Sequence, residues 1–243
     1  MIQAIEGDAP PPALAGAMAF DPALCEADCD LAALAGSLCE SGEPAISLCL
    51  HGLPGTGKSA YARYLAARLG LDVIEKRASD LLSMWVGESE KQIVRAFADA
   101  ADARALLIID EADSLLRDRA GARASWEVTQ VNEMLTWMER HPWPLVCTTN
   151  AMDALDPATM RRFLFKVKFL PMREDQAREA FRRVFGIEPP RGLDALDGLT
   201  PGDFALVARK STVLGKRDVA ELVRNLADEV EVRAGRPRRR IGF

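Results

Sequence analysis

Apolar positions along the chain switch between short continuous runs and longer stretches at helical spacing. In DPALCEADCDLAALAGSLCESGEP, Leu31, Leu34 and Leu38 form one stripe, predicting a leading helix over residues 21–43 that glycine and proline end. AISLCL (45–50) is a compact apolar run before a set of glycines and reads as a buried strand. Residues 58–69 return to helical spacing through Tyr61, Tyr64, Leu65 and Leu69. DVIEKR is a second predicted strand, and Ser79 stands where it can cap a short helix through Leu81 and Leu82. Beyond a glycine break, Ile93, Phe97 and Ala101 mark the next helix. ALLIID (105–110) is a third strand, continuously apolar as strands covered on both faces are. A long helix over residues 126–140 turns Val131, Met134, Leu135 and Met138 inward. PLVCTTN (144–150) is the fourth strand, and FLFKVKFLP (163–171), with Phe163, Phe165, Val167 and Phe169 on one face, is the fifth.

Strands alternating with helices predict a parallel sheet with helices on both faces, joined by right-handed crossovers. After Pro171 the pattern is helical only, near residues 173–186, 201–214 and 217–234, with Thr200 as a cap before Pro201. The expected organisation is an extended or disordered arm at 1–20, an α/β domain at 21–171, and a small all-α domain at 172–243. No internal repeat is present.

Composition narrows the class. The 243 residues are 49% apolar and 28% charged, ordinary for a globular protein. A net charge of −5 argues against a general nucleic-acid coat, which is normally basic. No apolar run reaches the ~18 residues of a membrane span. MIQAIEGDAPPP carries acids and no Lys or Arg, unlike a secretory signal. The five cysteines form no CxxC pair, which suits a reducing cytosol, so a cytoplasmic location is expected. Cys25 and Cys29 are spaced to share a helix face but are too few for a metal site, while Cys49 and Cys147 sit in strand-like runs as small hydrophobes.

The chemistry concentrates after the first strand. GLPGTGKS (52–59) fits G-x-x-x-x-G-K-[ST] between a predicted strand and a predicted helix. Glycines let successive N–H groups curl toward phosphate oxygens, and the helix N-terminus adds its positive dipole end. Gly52, Leu53, Pro54, Gly55, Thr56, Gly57, Lys58, Ser59 and Ala60 are the candidate ATP-binding residues, with Lys58 on the β- and γ-phosphates and Ser59 on Mg²⁺. LLIIDEAD (106–113) ends a strand with Asp110, a second candidate for the metal, and Glu111, the candidate base for the attacking water. Asn150, closing TTN, is level with that pair. It can bond the water or γ-phosphate, or simply form a turn before AMDALDP.

SMWVGESE (83–90) presents a different problem. Trp85 and Val86 stand against Gly87 where one helix stops and another begins, at a tip that charge marks as exposed. Either Trp85 folds back around Phe97, or it stays outside to grip something.

GLPGTGKS, ASDLLSMWVGESEKQI, LLIIDEADSLL, VNEMLTWME, TTN and LDPATMRRF, in this order, resemble the AAA ATPases over roughly residues 22–235. SMWVGESEK and MRRF look most like the branch holding katanin, spastin and the ESCRT-disassembly ATPases, and the chain is also similar to uncharacterised bacterial ATPases. The resemblance implies a P-loop NTPase sheet with a helical lid. It implies a homo-oligomeric ring, usually a hexamer, with ATP between subunits and a protein substrate threaded past a pore loop of Trp85, Val86 and Gly87. It gives Arg161 and Arg162 a role in trans on a neighbour's γ-phosphate, with the choice between them open. The common pattern separates the two by Pro-Gly, whereas here they are adjacent. LTPGDFALV lacks the lid arginine of other relatives, and Gly202 is read as allowing close approach to adenine or ribose.

Two other functions compete. One is a nucleotide-gated assembly switch that threads nothing. The other is a DNA-associated ATPase, against which the acidic balance and the aromatic loop both count. The basic run Arg236, Arg238, Arg239 and Arg240 is either a solvated end or a contact for an acidic partner or neighbour.

Overall fold

The computed structural model describes residues 20–83, 85, 87–117, 125–215 and 218–235. The expected arm before Phe20, Val86 of the expected pore loop and the basic run after Gly235 lie outside the described residues. The chain forms a six-stranded sheet of order β1-β6-β2-β5-β4-β3. Its strands are β1 (Glu26–Ala27), β2 (Ser47–Gly52), β3 (Val73–Arg77), β4 (Leu106–Asp110), β5 (Leu145–Thr149) and β6 (Phe165–Leu170). The helices are α1 (Leu31–Ser41), α2 (Lys58–Leu69), α3 (Ala78–Leu81), α4 (Glu88–Ala103), α5 (Ser125–Arg140), α6 (Pro157–Met160), α7 (Glu174–Phe185), α8 (Pro201–Leu214) and α9 (Val219–Arg233). No described helix is long and apolar enough to cross a membrane.

The period of two along each strand separates the core into two layers. On β4, Leu106 and Ile108 face one side with Leu48, Leu50, Tyr61 and Leu65. Leu107 and Ile109 face the other with Ile93, Phe97, Met134 and Leu135. Cys49 and Cys147 are fully interior, and burial pushes the Cys49 thiol up to about 12, so it packs as an apolar group. A third cluster joins α7, α8 and α9 through Phe181, Phe204, Val207, Leu222 and Leu226.

The leading helix is shorter than expected. Asp21 caps a single 3₁₀ turn at Pro22–Leu24, and β1 then pairs antiparallel with β6, Glu26 opposite Leu170. The helix proper starts at Leu31, where the Asp30 side chain accepts the N–H groups of Ala32 and Ala33. Such a cap contributes about 1 kcal/mol. This makes a sixth, antiparallel edge strand that the apolar pattern, with only two residues to show, did not reveal. It also separates Cys25 from Cys29: the first is buried and the second exposed. Leu24 packs with the lid helices, and the Gln176 amide donates to the carbonyls of Ala23 and Cys25, both at 3.1 Å. Ser79 lies inside α3 rather than at its cap; Asp80 there accepts the Arg77 N–H at 3.2 Å.

Candidate functional site

The site begins where β2 ends. Gly52 pairs with Phe169 of β6 so closely that a Cβ at Gly52 would stand 2.1 Å from the Phe169 carbonyl oxygen. Only glycine lets the chain leave the sheet at this point. The loop is braced from within, the buried Thr56 hydroxyl donating to the Leu53 carbonyl at 2.8 Å. Gly57 then caps α2, whose first two residues are Lys58 and Ser59.

Lys58 is 7% exposed. Its ammonium donates to the carbonyls of Gly52 (2.9 Å) and Leu53 (2.8 Å) and to Asn150 Oδ1 (2.8 Å). All three acceptors are neutral. Burial therefore pulls its pKa down to about 8, opposed by the charges of Asp110 and Asp113. Ser59 Oγ donates to Asp110 Oδ1 at 2.8 Å. These are hard oxygen donors at a helix N-terminus, a set that fits Mg²⁺. Among the described residues no cluster of three or more His, Cys, Asp or Glu could hold a metal alone.

Thr148 ties the acidic pair together. Its hydroxyl donates to Asp110 Oδ1 and accepts the Glu111 N–H at 3.2 Å. Glu111 is exposed and has φ 55°, a left-handed conformation uncommon for a residue with a side chain. One step further, Thr149 donates to Asp113 at 3.0 Å and accepts the Ala151 N–H at 3.0 Å. In TTN, Thr148 thus joins Asn150 at the site. Thr148 was detectable through the strand's period of two, which places it on the same side as Asn150.

Gly202 lies against the loop at residues 52–59. Its N–H donates to the Gly55 carbonyl at 2.9 Å, and a Cβ there would lie 2.8 Å from Gly55 Cα. The missing side chain at Gly202 is what lets the first turn of α8 approach the loop this closely.

Arg161 and Arg162 stand at the other end of the strands. β2 and β6 are parallel, with Leu48 beside Phe165 and Gly52 beside Phe169. Arg161 precedes Phe165, while the phosphate loop follows Gly52, so roughly 13 Å of strand separates the two levels. The arginines line a 370 Å³ cavity with His141, Trp143, Phe163 and Leu164. Arg162 is held in place. Its Nη1 donates to the Ala158 carbonyl at 2.8 Å, its Nε lies 2.9 Å from Glu139 Oε1, and its carbonyl accepts from Ser47 Oγ at 2.8 Å. Arg161 is exposed, and its side chain makes no hydrogen bond or ion pair among the described residues.

The Trp85 loop is fastened at its base and bare at its tip. Ser83 N–H donates to the buried Ser89 hydroxyl at 2.8 Å, and Trp85 N–H donates to Ser83 Oγ at 3.2 Å. Gly87, at φ 81°, starts α4. Trp85 is 78% exposed. It does not fold back on Phe97, whose ring is covered by Trp137 (centroids 6.1 Å apart) and by His141 edge-on (5.1 Å).

Comparison with known proteins places these groups in context. The family described as "ATPase family associated with various cellular activities (AAA)" matches residues 48–170. Protein CdcH of Halobacterium salinarum is 32% identical over 193 residues, 72% of this chain and 26% of that protein. Human peroxisomal ATPase PEX6 is 33% identical over 198 residues, 74% of this chain and 20% of that protein. Protein SUPPRESSOR OF K(+) TRANSPORT GROWTH DEFECT 1 of Arabidopsis thaliana is 30% identical over 187 residues, 74% of this chain and 41% of that protein. The chain thus spans less than half the length of each.

Proposed function

The chain belongs to the AAA family of ATPases, and from that premise we propose that it hydrolyses ATP as one subunit of a homo-oligomeric ring, taken as a hexamer, and remodels a protein substrate. The observation that carries the reading is the convergence of Lys58, Ser59, Asp110, Glu111 and Asn150 at the carboxyl ends of three parallel strands, where ligands of open α/β sheets bind.

In this mechanism the loop N–H groups and Lys58 hold the β- and γ-phosphates. Ser59 and Asp110 would hold Mg²⁺, which supplies charge neutralisation at those phosphates. Glu111, its backbone hydrogen-bonded to Thr148, orients the attacking water and takes its proton. Asn150 relays the position of Lys58 to the same water through the bond they share. Arg161 acts on the neighbouring subunit's γ-phosphate. It is too far along the strands from its own loop, and it is free where Arg162 is engaged. Arg162 sets the segment that carries it. An exposed Trp85 on a pinned base supports threading over a switch without a substrate, because a bare indole can grip a chain of any sequence.

Glu111→Gln tests the base. ATP binding should persist and hydrolysis fall at least ~100-fold; hydrolysis within threefold of the native rate would remove Glu111 from the mechanism. Turnover per subunit measured against enzyme concentration tests the trans arginine. A constant value down to monomeric concentrations would remove it.

A further inference from the structure

The lid reaches the phosphate loop by backbone, and a salt bridge behind it holds that backbone in place. Gly202 N–H donates to Gly55 at 2.9 Å, and a Cβ at Gly55 would meet Thr200 Oγ1 at 2.9 Å. The first turn of α8 therefore lies flat on the loop GLPGTGKS. Behind this turn, Arg233 comes from the last residue of α9. Its Nη1 donates to Asp203 Oδ1 (2.7 Å), Asp203 Oδ2 (2.8 Å) and Thr200 Oγ1 (3.1 Å), and its Nη2 donates to the Gly198 carbonyl. Asp203 in turn accepts the Thr200 N–H at 2.8 Å and the Thr200 hydroxyl at 2.9 Å. Both charges are withdrawn from water, with side-chain exposures of 16% for Arg233 and 8% for Asp203.

A buried ion pair is a poor way to gain stability, because desolvation offsets most of the attraction. It is a good way to fix a turn, since a planar guanidinium accepts only one arrangement of oxygens. Here the fixed turn is the one that delivers Gly202 to Gly55. We infer that Arg233 and Asp203 are positioning residues for the nucleotide: they hold the first turn of α8 on the phosphate loop and so set how tightly the site binds, without touching the phosphates. The inference rests on the reading of residues 52–59 as a nucleotide site.

Removing one partner alone would strand a buried charge and could unfold the lid. The test therefore uses the double variant Asp203→Asn with Arg233→Gln, in which an acceptor for the Thr200 N–H remains. Dissociation constants for a fluorescent ADP analogue are measured beside KM and kcat for ATP, the melting transition, and amide exchange of residues 200–203. The expected result is a Kd and KM raised about tenfold, kcat at saturating ATP within about twofold, and faster exchange at Gly202 in a chain that still melts cooperatively. Unchanged Kd and KM in the folded variant overturn the inference, as does a fall in kcat at unchanged KM. If the double variant melts below the assay temperature, Arg233→Lys decides: it keeps the charge and loses the fork, so KM should rise about threefold, and an unchanged KM overturns the inference. A native chain that binds no ADP analogue removes the nucleotide site and this inference together. A native chain that binds, beside a folded double variant that binds equally, removes only the inference.

Discussion

At the carboxyl ends of the strands nearly every functional group has a partner in its own chain. Lys58 holds Asn150, Ser59 holds Asp110, and Thr148 bonds both Asp110 and the backbone of Glu111. At the amino ends the picture reverses. Arg161 projects without a partner among the described residues, and the buried His141 Nε2 has none. The first arrangement is what a small ligand needs, donors already oriented before it arrives. The second leaves Arg161 free for the role proposed for it on a neighbouring subunit. Neighbouring arginines divide along the same line, Arg162 internal and Arg161 outward.

The sharpest way to break this comparison is to mutate both arginines. Arg161→Ala should lower kcat by about 10³ or more and leave ADP affinity and the urea midpoint unchanged. Arg162→Ala should instead lower stability by about 1 kcal/mol, since it loses a hydrogen bond and a half-exposed ion pair. Equal kinetic losses with equal stability would erase the distinction. Next in size is Lys58→Met, which should weaken ADP binding about 100-fold without lowering the melting temperature, because a buried cation is removed. A large drop in Tm would mean that Lys58 holds the fold rather than waits for phosphate.

A smaller effect concerns the cavity end. Burial holds the His141 pKa below its ordinary value of 6.5. The unfolded chain thus takes up a proton as pH falls through 6.5 while the folded chain resists, and stability declines with acidity in that window. Unfolding free energies from urea titrations at pH 7 and pH 5.5 should differ by up to about 1 kcal/mol, and His141→Gln should flatten the difference. The smallest effect is the most specific. Trp85→Ala should change basal ATP turnover by less than about twofold and Tm by less than about 1 °C, because the indole buries little, yet it should stop substrate processing. Full processing by Trp85→Ala would return the second reading, a switch that threads nothing.

Much of the site was legible because its requirements are local. A phosphate loop needs a strand, a glycine curl and a helix start in immediate succession, and GLPGTGKS satisfies all three with contiguous residues. The central strands β2, β4 and β5 were legible for a related reason: burial on both faces forces a continuous apolar run, while β6 shows the alternation of a strand buried on one face. The edge strand β1 was not, since two residues carry no period, and its pairing with Leu170 depends on a chain segment far away in sequence. Ser79 is not the cap because α3 starts two residues before the position a serine cap would set, with Arg77 at the N-cap and Asp80 accepting its N–H.

Residue order along the chain therefore settled the class of fold, the loop that faces phosphate and the acidic pair opposite it, all governed by neighbours within one turn or one strand. Long-range folding settled the rest. It brought Asn150 to Lys58 across 92 positions and Arg233 to Asp203 across 30, gave Phe97 to Trp137 rather than Trp85, and gave contacts to Arg162 that it did not give to Arg161. Those choices depend on which surfaces compete for the same partner once the core has closed, and a linear pattern carries no record of that competition.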